Sequence, residues 1–350
     1  MTDSGVLCIG HAAWDLIYPL QEFPEEDRKY TVPRIHESPG GPACNAAFLL
    51  GRWGIPVSLV ATLGDDPYAA AILKQLCEWG VDTSLLRPDR AVHTPLSVVM
   101  VNRKTGSRTI LTHKNQSIPL SLDTGSGSAA SPRIILYDGH ETEAALAAIE
   151  RFPRAMTVFD GGSVRPRWKE LVARTDFAIV SERYANQVLG RDRIRDPEEA
   201  SDCLFILRAL GARSIAVTRG AAGCVCLERG SESPVILPAF PAATEDTTAA
   251  GDIFHGAFCA ALYGLLREGE LPPVPCRDSC GGSACGTLAR LAAAPRLPSA
   301  VVHAGNRPGA SPFLRALALA AGAASVSVER RGGRDSIPDR DEAERRAGWR

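Results

Sequence analysis

Short apolar runs recur along the chain at Val6–Ile9, Val57–Ala61, Ile134–Tyr137, Thr157–Phe159, Phe177–Val180 and Ser214–Thr218. Each has the length of a buried strand. Between them lie segments with helical spacing of apolar positions, at Ala43–Trp53, Ala69–Trp79, Glu141–Glu150 and Glu198–Leu210. Buried strands alternating with helices predict an α/β fold on a mainly parallel, doubly wound sheet. Ligands on such sheets gather at the carboxyl ends of the strands. Two segments break the rhythm: residues 15–36 and 94–113 are more polar and alternating, with Tyr30–Val32 and Leu96–Val101 as their strand-like parts. Paired with each other, they predict a small separate sheet that covers a site.

Leu122–Pro132 reads as a loop of Gly, Ser and Pro. Pro272–Pro312 carries seven prolines, which exclude a long helix or central strand there. An irregular stretch of roughly 40 residues inside one compact domain is either a functional loop or a disordered insertion. It could equally be a partner-binding element or retained non-coding sequence. Cys276, Cys280 and Cys285 lie within it, but their spacing is not the paired form of a zinc site.

Composition narrows the class. The 350 residues are 45 % hydrophobic and 23 % charged, within the globular range. A formal net charge of −1 gives no footprint for nucleic acid or a membrane surface. No basic segment with a cleavage site opens the chain, and no run approaches the ~18 apolar residues of a membrane span. The ten cysteines are therefore expected to be reduced thiols of a cytoplasmic protein.

Two segments suggest chemistry. Asp246-Thr-Thr-Ala-Ala-Gly-Asp252 runs straight into the apolar stretch Ala257–Leu266. Small residues at a helix start expose backbone N–H groups and the positive end of the helix dipole, which suits a phosphate. Asp252 at its edge is placed to receive a proton from an attacking hydroxyl. Alternatively, it is a helix-start carboxylate favoured by the dipole. The second segment is Pro39-Gly-Gly-Pro-Ala-Cys-Asn45. Gly40 and Gly41 permit close backbone approach to a ligand, and Asn45 offers donors and an acceptor to a polyhydroxylated molecule. A Gly-Gly turn capped by Asn45 is the structural alternative.

Together these two segments resemble the two signatures of the ribokinase/phosphofructokinase-B family of carbohydrate kinases. The resemblance extends over Cys8-Ile-Gly10 with Asp15, Leu63-Gly-Asp-Asp66, Trp79-Gly-Val-Asp82, Val217-Thr-Arg-Gly-Ala-Ala-Gly223 and Gly332-Gly-Arg-Asp-Ser-Ile-Pro338. Within the family the chain looks closest to sulfofructose kinases and ketohexokinases. The resemblance implies a single ribokinase-like domain over residues 1–350, with lid segments at about 13–38 and 92–114 and an insertion at about 272–312. It implies ATP- and Mg²⁺-dependent phosphorylation of a sugar hydroxyl, commonly a primary one.

Carried over by motif, Asp252 is the catalytic base, and the N–H groups of Ala249, Ala250 and Gly251 form the anion hole. Asp15, Gly40, Gly41 and Asn45 match the sugar contacts; without the family, Asp15 would read as a turn residue. Thr218, Gly220 and Gly223 fall where the family contacts ATP. Ser181 and Glu182 stand where it carries Asn-x-x-Glu near metal and phosphates, with Tyr184 in the Glu position. Asp246, Thr248, Gly332 and Ser336 match positions that bind K⁺ in ribokinases. Phe313–Ala324 matches the helix that borders adenine. His255 replaces a common Asn and reads as a packing residue. A homodimer through the lid is compatible with this reading. So are a nucleoside kinase, with Trp14, Tyr18, Phe23 or Tyr30 stacking a base, a non-catalytic binding protein of the same fold, and a kinase disabled by its insertion. Lys29, Arg108, His113 and Lys114 are the candidates for holding an anionic substrate group.

Overall fold

The computed structural model describes residues 5–104, 108–114, 131–271 and 310–349. The Leu122–Pro132 loop, apart from its end, and almost all of the Pro272–Pro312 insertion with its three cysteines lie outside the described residues.

The apolar runs form strands. Strands β1 (Val6–Ile9), β4 (Val57–Val60), β7 (Ile134–Tyr137), β8 (Met156–Gly161), β9 (Phe177–Ser181) and β10 (Ser214–Thr218) are parallel neighbours. The antiparallel pair β11 (Cys224–Leu227) and β12 (Val235–Leu237) extends the edge beside β10. The order is β12-β11-β10-β9-β8-β7-β1-β4. Its mainly parallel sheet is the α/β arrangement that the alternating pattern predicts.

Strand residues alternate between the two faces, so both faces are buried under helices. Val6, Cys8, Ile134 and Leu136 point into one core with helices α1 (Pro42–Arg52) and α2 (Pro67–Glu78). Leu7, Ile9, Ile135 and Tyr137 point into the other, against α3 (Thr142–Arg151), α4 (Trp168–Val172), α5 (Glu182–Leu189) and α6 (Pro197–Leu210). The first core also takes α7 (Ala250–Arg267), α8 (Pro312–Ser327) and α9 (Arg340–Ala347). Four helices begin on proline at the first turn, where the missing N–H costs no hydrogen bond.

The two polar segments build a second, four-stranded sheet in the order β3-β2-β5-β6. Its strands are β2 (Ala13–Leu20), β3 (His36–Gly40), β5 (Leu96–Asn102) and β6 (Arg108–His113). The expected strand at Tyr30–Val32 is not formed; residues 21–35 make an irregular excursion between β2 and β3. Tyr30 there is 40 % exposed and Pro33 follows, so the run has neither a face to bury nor a full set of donors to pair. β2 follows β1 after three residues, and β3 ends at the start of α1, which ties this second sheet to the carboxyl end of the main one.

Candidate active site

The carboxyl ends of β1, β7 and β8, the start of α1 and the start of α7 converge. Asn45 lies in the first turn of α1 and Asp252 in the first turn of α7, and Asn45 Nδ2 donates to Asp252 Oδ2 at 2.7 Å. Their meeting depends on close helix packing. A Cβ on Gly256 would stand 3.1 Å from the Ala46 carbonyl oxygen, so only small residues let α1 and α7 approach this far. Asn45 is buried, and its Oδ1 has no partner among the described residues. Such an orphaned acceptor fits a substrate hydroxyl.

Asp252 is half-buried, and its carboxyl is pushed up to about 7. Burial is the main cause and the neighbouring Asp160 carboxylate the next, opposed by the Asn45 hydrogen bond. Asp160, next to last in β8, is itself raised by burial and by Asp138. His255 is buried one turn after Asp252. Its Nδ1 lies 2.7 Å from the Gly251 carbonyl and 3.3 Å from Asp160, and its Nε2 lies 3.1 Å from the Ile179 carbonyl. It therefore fastens the first turn of α7 to β8 and β9.

The loop before α7 is shaped for an anion. Ala249 caps the helix with φ 60°, in the left-handed region. The Ala250 N–H is turned to the Thr247 carbonyl at 3.3 Å. The N–H groups of Ala249 and Gly251 have no partner among the described residues, and a Cβ on Gly251 would meet nothing within 4 Å. From β6 of the second sheet, Arg108 Nη1 reaches the Thr247 and Thr248 hydroxyls at 3.3 and 3.2 Å.

Asp15 points down from β2, and burial pushes its carboxyl up to about 6 against a hydrogen bond with Ser97. A Cβ on Gly40 would overlap the Asp15 carboxylate, and one on Gly41, at φ 98°, would stand 2.5 Å from the His11 carbonyl. Among the positions expected to border the nucleotide, the Ser181 hydroxyl caps α5 through the Tyr184 N–H and donates to the Gly162 carbonyl. Glu182 pairs with Arg219 at 3.5 Å, and the Thr218 hydroxyl donates to the Val180 carbonyl at 3.4 Å. Gly220 faces open space, whereas a side chain on Gly223 would strike the Leu237 carbonyl.

Asp246 joins the two segments matched to a monovalent cation: its oxygens accept from the N–H groups of Thr248 (2.8 Å) and Gly332 (3.0 Å). Against burial, the Thr248 hydroxyl and these N–H groups hold its carboxyl below the usual range, so an ionised oxygen is present at the junction. Ser336 donates instead to the Gly333 carbonyl. Of the four candidates for an anionic group, Lys114 reaches His140 and Glu141. Arg108 serves the loop before α7, while Lys29 and His113 are exposed.

Residues that the linear sequence did not single out complete the site. Asp138 directly follows β7 and accepts from the N–H groups of His11, Ala43 and His140 at 2.8, 3.2 and 2.9 Å. His11 and His140 stack with ring centroids 4.4 Å apart. Asp138, just after β7, and Asp160, next to last in β8, each follow an apolar run and precede a glycine, the one signal that marks them in the sequence.

Residues 3–272 match the model of the pfkB family carbohydrate kinases. A Bacillus subtilis ribokinase is 26 % identical over 263 residues, covering 73 % of this chain and 85 % of its own. The structure of an Arabidopsis thaliana ribokinase with ribose and ATP superposes with a TM-score of 0.74 at 21 % identity, covering 99 % of each chain. A Methanocaldococcus jannaschii nucleoside kinase superposes at 0.68 and 18 % identity, covering 98 % of this chain and 97 % of its own.

Proposed function

The chain belongs to the pfkB family of carbohydrate kinases and is thus an ATP-dependent phosphotransferase, and we propose that its acceptor is a hydroxyl, commonly primary, of a sugar or sugar derivative. The observation that carries this is the Asn45–Asp252 hydrogen bond, which puts a polyol-binding amide and a carboxylate 207 positions apart into one site.

In this reading Asp15 and Asn45 hold the sugar, and Asp252 orients the attacking hydroxyl. The hydroxyl oxygen forms a bond to the γ-phosphorus as the bond to the β-phosphate oxygen breaks, and ADP leaves. The hydroxyl proton passes to Asp252. An alcohol is a far weaker acid than a carboxyl group, so the transfer comes late, when the phosphoryl group is already bonding. An Asp252 carboxyl raised to about 7 holds that proton better than an ordinary one. The N–H groups of Ala249 and Gly251 stabilise charge on the transferred group, with Ala250 shaping the turn.

Mg²⁺ would neutralise the β- and γ-phosphate oxygens of ATP, with Glu182 reaching it through water from its ion pair with Arg219. Thr218, Gly220 and Gly223 would border the nucleotide, and α8 the adenine. K⁺ would take oxygens around Asp246, Thr248, Gly332 and Ser336, an all-oxygen set that suits a hard cation. The described cysteines are free thiols, which suits the reducing cytoplasm. No described helix is long and apolar enough to cross a membrane. The edge strand β6 exposes Ile110 and Leu111, which supports a homodimer through the lid.

The test is ATP consumption with Mg²⁺ and a panel of ketoses, aldoses and nucleosides. Turnover confined to sugars supports the proposal. Turnover confined to nucleosides makes the protein a nucleoside kinase, and none on any member favours a binding protein.

A further inference from the structure

One corner of the site holds cationic groups that the transfer step does not use. The loop after β8 carries Arg165, fixed on both sides. The Val164 N–H donates to Gln187 at 2.7 Å, and the Arg165 carbonyl accepts from Trp168 at 3.3 Å. Its side chain runs over Gly139, where an added Cβ would lie 3.7 Å from Arg165 Cδ. The guanidinium is half-buried and makes no hydrogen bond or ion pair with any described residue. Lys114 enters the same corner at the end of β6, with its Nζ 3.3 Å from His140 Nδ1 and 3.7 Å from Glu141. The stacked His11–His140 pair forms the wall between them and the start of α1.

The acidic neighbours attract Arg165 without pairing with it. Asp138, which accepts from three backbone N–H groups, attracts the guanidinium most among the carboxylates but makes no hydrogen bond or ion pair with it, and Glu141 also accepts from the Thr62 hydroxyl. Asp160 attracts Arg165 from beyond hydrogen-bond distance, but burial favours its protonated form. Burial, with Arg165 and Lys114, pushes His140 down to about 2; burial, His140 and the same two cations push His11 down to about 3. Both imidazoles are therefore neutral, and the positive charge is concentrated on one unpaired guanidinium and one shared ammonium. A half-buried guanidinium without a partner is a costly arrangement, relieved by a bidentate oxyanion.

Resting on the kinase reading of this site, we infer that the acceptor carries an oxyanion group, a phosphate ester or a carboxylate, which binds Arg165 and Lys114 beside the His11–His140 stack. The side of the site also matters. Asp138 ties His11, His140 and the Ala43 N–H together, so the corner adjoins the sugar-binding start of α1. On its other side Arg165 adjoins α5, through the Val164–Gln187 bond and the nearby Arg183, so ATP affinity is the control that separates an acceptor anion from a nucleotide phosphate.

The test titrates the full-length protein calorimetrically with ribose, ribose 5-phosphate, fructose, fructose 1-phosphate, fructose 6-phosphate, glucose and gluconate. ATP consumption is followed on the same panel. At least one anionic member is expected to bind more tightly than its neutral parent by about 30-fold, the scale of a charge-assisted bidentate contact. Arg165→Met should abolish that preference and Lys114→Met reduce it, leaving the affinity for ATP unchanged, and Arg165→Lys should recover part of it. Equal or weaker binding of every anionic member, or a preference that survives Arg165→Met, overturns the inference. So does an Arg165→Met variant that weakens ATP instead, because the anion would then be the nucleotide's phosphate. Turnover confined to neutral sugars likewise overturns the inference while the kinase assignment stands. An anionic sugar that binds through Arg165 yet consumes no ATP keeps the subsite and removes the assignment.

Discussion

The two glycine-containing segments of the site use the same residue type for opposite ends. At Gly40 and Gly41 the space beside the backbone is already filled, by the Asp15 carboxylate and the His11 carbonyl. At Gly251 it is empty. The first segment spends its glycines on packing within the chain, so that Asp15 and the start of α1 lock together. The second leaves its glycine facing open space at the mouth of a helix. One segment is thus a finished wall, and the other is a surface waiting for a ligand.

Four outcomes would break or sharpen this contrast. The largest belongs to the carboxylate that ends the open segment: Asp252→Asn should lower turnover about 10³-fold, the scale of a lost general base, while nucleotide binding measured calorimetrically is retained. Next, Gly41→Ala should cost about 3 kcal/mol in denaturant-induced unfolding, because it combines the left-handed φ of 98° with a collision against the His11 carbonyl. Gly251→Ala should leave unfolding within about 0.5 kcal/mol and lower turnover about tenfold, by narrowing the phosphate space. A destabilised Gly251→Ala, or an unaffected Gly41→Ala, would reverse the roles assigned to the two segments.

The smallest effect is on stability against pH. Burial raises Asp252 in the folded state, so the folded form holds a proton that the unfolded form releases from about pH 4 upward. The stability tied to that proton is present below pH 4 and lost as pH rises through about 7. Asp252→Asn cannot ionise, so it should raise Tm relative to wild type by roughly 2–4 °C at pH 8 and by less at pH 5. An equal difference at both pH values would contradict the burial argument.

How much of this was legible depended on whether the signal was local. The six parallel strands of the main sheet are short, largely buried apolar runs, which marks them in the sequence, whereas the edge pair β11 and β12 is not among the runs read there. Tyr30–Val32 has the residue types of a strand, but the pairing went to Ala13–Leu20 and His36–Gly40, whose alternate residues have a site to face. Three helices start a residue or two before their first periodic position, because Pro42, Pro67 and Pro197 open helices rather than interrupt them. Asn45 and Asp252 stand in short motifs and were visible. Their contact was not, because it depends on Gly256 packing against Ala46. Asp138, Asp160, His11, His140 and Arg165 were missed because strand order, not sequence distance, brings β1, β7 and β8 side by side.

The central claim is that Asp252, raised by burial and steadied by Asn45, takes the acceptor proton. The most direct measurement is the pH dependence of kcat/KM for the acceptor from pH 5 to 9, in wild type and in Asp252→Asn. Wild type should show activity rising tenfold per pH unit and levelling off above about 7, as the carboxylate forms, and the variant should lose that limb. A flat wild-type profile, or the same limb persisting in Asp252→Asn, would contradict the assignment.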